Sequence, residues 1–290
     1  MSSHSAVIFP GQGSQHRNIR ALVEEHRPDL IEHAVEIVGD DPFARAAEST
    51  RFLQPAVYCA SLAGWERYRQ AEGGVPPAYF AGHSLGEFAA LVAAESLDEI
   101  DGLRLVAIRG NVLERAAREL APAMMAVIGP DVQDFGVQAP TFGAAVAGDN
   151  APDQIVLCGA RDQLEVAREA AVERGLDARV LRIAAGGHTP AFEKFVPGFE
   201  EALAEVDFRT PTRPVFSGVT GAPFDETRRL LAESLRSTVR WRQIAMELHR
   251  RGVRRFVEAG PGHVLLGLVR RTFSTDIELM AMDDSEVRVA

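Results

Sequence analysis

Lysine is almost absent from this chain of 290 residues: Lys194 is the single example, so 30 of its 31 fixed cations are arginines. That skew follows genomic base composition more than chemistry. It still means that any carboxylate or phosphate must be held by guanidinium forks. Cysteine is nearly as scarce. Cys59 and Cys158 stand far apart, with no CxxC and no Cys/His ligand spacing, which excludes a disulfide framework and a zinc site and leaves two small core residues. No apolar run reaches eighteen residues, and Met1 to Val7 lacks the charged-then-apolar form of a leader, so a membrane span and a secretory signal are not expected and the cytoplasm is the default. Positive charge is in deficit. A net charge of −10 argues against nucleic acid as a partner.

What is present is an alternating α/β pattern of ordinary hydrophobic content, long enough to bury a full core. A strand is expected over Ala6 to Phe9, running into Pro10-Gly11-Gln12-Gly13-Ser14-Gln15, whose glycines allow backbone amides to approach a ligand. This loop lacks both the Lys-Ser/Thr ending of a phosphate loop and the three-glycine spacing of a dinucleotide fold. Helical spacing follows at 17–38, 54–70 and 103–120. From Met124 the order becomes β-α-β-β-α-β, with strands over 124–128, 142–147, 154–158 and 178–183 and the segment Asp149-Asn150-Ala151-Pro152 read as a turn. After Gly186-Gly187 the chain returns to helix at 191–206, strand at 214–217, one helix over 228–251 and strand at 255–258. The expectation is a larger α/β body, formed by 1–121 and 188–290, carrying a ferredoxin-like subdomain at 122–187.

The chemistry centres on Ala81-Gly82-His83-Ser84-Leu85-Gly86-Glu87. One serine between two glycines, after a strand entry at 75–81 and before helix formers at 87–94, is what a strained strand-to-helix turn requires, and Ser84 is read as a nucleophile. A serine needs a base, and eight histidines compete for that role. His4 and His16 lie near the N-terminus, His26, His33 and His249 on helix faces, and His83 would point away from Ser84. His188, at the seam where the small unit hands back to the large one, is favoured over His263, which heads a helix after Gly260-Pro261-Gly262. The amide of Leu85 and one from the Gln12 loop are the candidate oxyanion donors. Arg109, inside an apolar helical run, is by itself either a snorkelling side chain or a buried partner for a carboxylate.

Taken together, Phe9-Pro10-Gly11-Gln12-Gly13-Ser14-Gln15, Gln54-Pro55-Ala56, Gly82-His83-Ser84-Leu85-Gly86-Glu87, Arg109-Gly110, Asn150-Ala151-Pro152 with Gln154, His188-Thr189-Pro190, Val219-Thr220-Gly221 and Glu258-Ala259-Gly260-Pro261-Gly262 resemble the malonyl-CoA:acyl-carrier-protein transacylase family along nearly the whole chain. The resemblance implies a hydrolase-like α/β core with a mostly parallel sheet carrying the ferredoxin-like insertion, an acyl-CoA donor, an ester on Ser84, His188 as base, Gln12 and Leu85 as the oxyanion hole, and transfer to the phosphopantetheine thiol of an acyl carrier protein. No metal or redox cofactor is required. It makes Arg109 the holder of a malonyl-type carboxylate, with His83, Asn150 and Gly187 among the residues around the substrate. It also implies a monomer, with Met1 as the start of a transferase that serves its carrier in trans through an arginine patch such as Arg182 or Arg270 and Arg271.

Three positions depart from the family pattern. Gly187 stands where phenylalanine or serine is usual, either as a plain turn or as room for a substituted malonyl group. Ser234 aligns with a glutamine whose backbone carbonyl orients the base, and Gly218 replaces a common asparagine. An acyl-carrier-protein hydrolase, a carrier-to-carrier transferase and an inactive scaffold are the competing readings; a cation for a second carboxylate counts against the first, and intact Ser84, His188 and Arg109 against the last.

Overall fold

A computed structural model describes residues 4–181 and 186–283. Strand β1 (His4–Phe9) is the centre of the larger body, and its alternation sets the layers: Val7 and Phe9 join one buried apolar cluster, whereas Ala6 and Ile8 join another on the opposite face. A strand buried on both faces belongs in a parallel sheet covered by helices. Among the described residues β1 pairs in parallel with β2 (Tyr79–Gly82) and β8 (Val253–Glu258), and the sheet is completed by β7 (Val215–Phe216) and β9 (Glu278–Ala281) in the order β7-β2-β1-β8-β9.

The helices on one face are α1 (Ile19–His26), α2 (Asp29–Val38), α3 (Thr50–Ala71), α4 (Gly86–Ala93) and α5 (Glu99–Leu120). Helix α5 begins at Asp98, whose carboxylate accepts from the amides of Ile100 and Asp101 and satisfies two of the donors a helix start leaves open. Helices α3 and α5 cross closely at Gly110, where a Cβ would stand 2.9 Å from the Thr50 carbonyl oxygen. That crossing brings Arg109 beside Gln54. The single helix expected over 17–38 is two, because Pro28 cannot supply the amide that would carry α1 through.

A second sheet, antiparallel, has the order β4-β5-β3-β6, from β3 (Ala123–Ile128), β4 (Ala145–Ala151), β5 (Gln154–Gly159) and β6 (Asp177–Val180). Helices α6 (Val132–Val137) and α7 (Arg161–Glu173) cover one face, where Met125, Val127, Ile155, Leu157 and Leu164 form a separate core. The alternate residues Met124, Ala126 and Val156 face the cleft between the two sheets. One expectation fails here. The segment 149–152 is not a turn as far as Ala151, since β4 continues through Asn150 and only Pro152-Asp153 turns the chain into β5; the Ile183 end of the fourth strand lies outside the described residues.

The chain returns through a 3-10 turn (Pro190–Phe195) and α8 (Val196–Ala204), where one helix over 191–206 was expected. The helix expected over 228–251 is also two, α9 (Thr227–Glu233) and α10 (Trp241–Arg250), with an irregular segment between them. Helix α11 (Val264–Thr272) closes the cleft on the far side.

Candidate active site

Strand β2 ends at Gly82 and α4 starts at Gly86, so only three residues make the turn. A Cβ on Gly82 would lie 2.1 Å from the Gly86 carbonyl carbon, and one on Gly86 would lie 2.0 Å from the Phe9 carbonyl oxygen. Both positions must therefore be glycine. Ser84 takes φ +55°, the left-handed region that a side chain normally avoids, which is the strain a nucleophile elbow stores.

Three side chains converge there. Ser84 Oγ lies 2.8 Å from His188 Nε2, and the Arg109 Nη2 hydrogen donates to the same oxygen at 2.9 Å. His188 Nδ1 lies 2.6 Å from the Ser234 carbonyl oxygen, which can only accept, so Nδ1 carries the proton and Nε2 is left as the acceptor facing the serine. The His188 backbone, at φ +62°, donates its N–H to the Leu235 carbonyl at 2.8 Å. Helix α9 ends at Glu233, and a terminating helix leaves carbonyls without internal donors. Those of Ser234 and Leu235 accept from His188. The break in the expected helix over 228–251 is thus part of the site.

Arg109 is buried to 1% exposure, and its other terminal nitrogen donates to Gln54 Oε1 at 2.8 Å. Burial lowers the guanidinium to about 10, which leaves it charged at neutral pH, and the nearby Glu87 opposes that shift. Glu87 is itself pushed up to about 8 by burial. Its Oε1 accepts from the Gly218 amide at 2.6 Å, while Oε2 has no partner among the described residues. A Cβ on Gly218 would stand 3.3 Å from Val239 and 3.4 Å from Glu87, so glycine lets this amide close on the carboxyl. His188 is lowered to about 3, by burial first and then by the charges of Arg109 and His83. This imidazole is neutral across the physiological range.

A cavity of about 400 Å³ opens in front of Ser84. Gln12 lines it, and the backbone amides of Gln12 and Leu85 donate to no acceptor among the described residues. The Gln12 side chain donates to Thr50 Oγ1 at 2.8 Å, which fixes the loop. His83 also faces the cavity but reaches across the cleft, with Nε2 3.0 Å from Asn150 Oδ1 of β4. His263 stands at the N-cap position of α11 without a side-chain capping hydrogen bond, and makes none to Ser84. Of the two glycines before His188, Gly186 lines the cavity, and a Cβ on it would stand 2.8 Å from Pro122 and 3.0 Å from Cys158 Sγ. A Cβ on Gly187 meets nothing within 4 Å among the described residues. Gln54 and the cavity-lining Leu113, Met124 and Val156 were not singled out for these positions from sequence. Gln54 alone had a signal, its place in a quoted motif beside Pro55.

Comparison with known proteins identifies the family. The acyl transferase domain family model matches residues 30–287. The polyketide biosynthesis protein ThaF of Burkholderia thailandensis is 38% identical over 93% of this chain, which spans only 24% of that longer protein. The polyketide biosynthesis malonyl CoA-acyl carrier protein transacylase BaeC of Bacillus velezensis is 32% identical over 91% of this chain and 95% of its own length. Among solved structures, the complex PlMCAT:AntF, a type II polyketide synthase acyl carrier protein with its malonyl-transacylase, superposes with a TM-score of 0.90 at 30% identity, covering 98% of this chain and 97% of the other. The chain belongs to the acyl transferase domain family, within the group of malonyl-CoA:acyl-carrier-protein transacylases.

Proposed function

We propose that this protein moves a malonyl-type acyl group from CoA, through an ester on Ser84, to the phosphopantetheine thiol of an acyl carrier protein. The observation that carries the reading is the placement of Ser84 Oγ between a neutral imidazole acceptor and a buried guanidinium, 2.8 and 2.9 Å away. Ser84 Oγ attacks the thioester carbonyl as His188 Nε2 takes its proton. The amides of Gln12 and Leu85 receive the negative charge that develops on the carbonyl oxygen. The C–S bond breaks, His188 returns the proton to the CoA sulfur, and the same steps in reverse order deliver the acyl group to the carrier thiol. Ser234 contributes its carbonyl, holding the tautomer that keeps Nε2 unprotonated.

Arg109 supplies selectivity. One nitrogen is held by Gln54, and a carboxylate entering the cavity exchanges for Ser84 on the other, giving a charge-assisted hydrogen bond that a monocarboxylic acyl group cannot make. Arg109→Ala is expected to slow acylation by malonyl-CoA about a hundredfold, the value of a hydrogen bond to a charged group, while acetyl-CoA loads no worse or better. Equal loading of malonyl-CoA by this variant and the wild type would contradict the assignment. This demand for a second carboxylate counts against an editing hydrolase.

Gly187 as room for an α-substituted malonyl group rests on the absence of any described residue within 4 Å of a Cβ there; the glycine that lines the cavity is its neighbour Gly186. The small sheet supports a further reading: the β-α-β-β-α-β order with strand order β4-β5-β3-β6 fits a ferredoxin-like unit at 122–187, inserted between 1–121 and 188–290. The protein is read as a cytoplasmic monomer; among the described residues no helix is long and apolar enough to cross a membrane. Carrier docking is read to use Arg270, which makes no ion pair among the described residues, whereas Arg271 is held by Asp153 at 2.7 Å; Arg182 lies outside the described residues.

A further inference from the structure

Strand β4 forms one wall of the cavity, and its two faces do different work. Ala147, Gly148 and Asn150 line the cavity, whereas the Asp149 carboxylate is taken from behind by Arg242 of α10, which donates from Nε and Nη2 at 2.8 and 2.9 Å. Gln133 Nε2 also donates to Asp149 Oδ1, at 3.2 Å. Between them the backbones are stitched as if 238–239 were one more strand. The Asp149 amide donates to the Val239 carbonyl and the Val239 amide to the Ala147 carbonyl, each at 2.9 Å, and Thr238 Oγ1 donates to the Val146 carbonyl at 2.6 Å.

The segment that makes this seam is the one that holds the base. Ser234 and Leu235 accept from His188, and within the next seven residues the same chain grips β4 and ends on Arg242. One short segment therefore sets two distances at once, from the imidazole to Ser84 and from the cavity wall to Ser84. A bidentate pair fixes orientation as well as separation, which a single hydrogen bond does not.

We infer that Arg242 and Asp149 are a positioning pair whose work is to keep the β4 wall seated so that water does not reach the Ser84 ester. The inference rests on the acyltransferase reading above. The reaction excluded is hydrolysis: water adds to the ester carbonyl while His188 Nε2 takes its proton, the bond from carbon to Ser84 Oγ breaks, and the proton passes to Oγ, releasing the free acid. A transferase must hold this step slow while it waits for a thiol, and a dry, closed wall is the means available to it.

The test loads Ser84 with malonyl-CoA, removes free CoA by gel filtration, and follows the intact mass of the protein without any acceptor. In R242A the ester is expected to decay about tenfold faster than in the wild type, while the rate of loading falls by no more than about twofold. The double variant R242D/D149R, which reverses the pair, restores most of the lifetime. An R242A ester as durable as that of the wild type, or a reversed pair as leaky as the single variant, would overturn the inference. Should R242A fail to fold, T238V removes only the bond to the Val146 carbonyl; its ester is expected to decay about threefold faster, and an unchanged lifetime would count equally against the idea. A wild-type chain that takes no acyl group on Ser84 would instead sink the acyltransferase reading itself.

Discussion

In the proposed role of base, His188 has its proton already on the right nitrogen. The Ser234 carbonyl holds hydrogen on Nδ1, and burial beside Arg109 and His83 lowers the ring to about 3. A base works only when deprotonated, so its activity is lost as pH falls through that low value and not through the ordinary histidine range. The initial rate of Ser84 acylation is therefore expected to differ by less than about twofold between pH 8 and pH 5.5, with no limb near 6.5. A limb centred there would show an imidazole in contact with water. Stability falls in the same direction but over a higher pH window. The unfolded ring gains a proton below about 6.5 and the folded one does not, so the site destabilises the protein progressively as pH falls from about 6.5 towards 3. The Ser234 side chain points elsewhere, donating to the Leu231 carbonyl at 2.7 Å. Ser234→Ala is accordingly expected to acylate at close to the wild-type rate, because the carbonyl is what matters; a loss of tenfold or more would mean that the hydroxyl has a role the geometry does not give it.

At the scale of the element, the elbow depends on backbone contact more than on side chains. Gly86→Ala forces a Cβ to 2.0 Å from the Phe9 carbonyl oxygen, so β1 and α4 must separate, and a loss of about 2–3 kcal/mol in unfolding free energy is expected by denaturant titration. A variant as stable as the wild type would show that the elbow can relax. The elbow was legible in the sequence because its requirement is local: two glycines and a serine in five residues fix a turn whatever surrounds it. The first strand, the body of α5 and strands β3 and β5 were legible for the same reason, whereas the Asp98 cap that starts α5 at Glu99 was not read. The helix breaks were not all so plain. Pro28 marks one directly, but nothing in 228–251 marks the stop at Glu233, since the helix ends there to give its carbonyls to His188, 46 residues earlier in the chain. Strand β4 misled in the same manner, as Asp149 and Asn150 favour turns on their own and are held extended by Arg242, Val239 and His83.

For the whole molecule, the site is a property of the seam between two sheets. The larger body supplies Ser84 and Arg109, β4 supplies Asn150, and the chain re-enters the larger body at His188. Sequence order pointed to that seam for His188, yet Arg109 by itself was indistinguishable from a structural arginine. Only the crossing of α3 and α5, which sets Gln54 on one side of its fork, aims the other side at the serine. The carrier is expected to meet an acidic protein through a local cation, and R270E should slow transfer to a carrier about threefold or more while leaving Ser84 loading unaltered. Equal effects on both steps would place Arg270 outside the docking face. The most direct test of the whole account follows one acyl group by mass spectrometry, first with malonyl-CoA alone and then after addition of a phosphopantetheinylated carrier. The account predicts a malonyl ester confined to the peptide containing Ser84, followed by its loss as the same group appears on the carrier thiol. An unmodified Ser84, or an ester that leaves only as free acid, would contradict it.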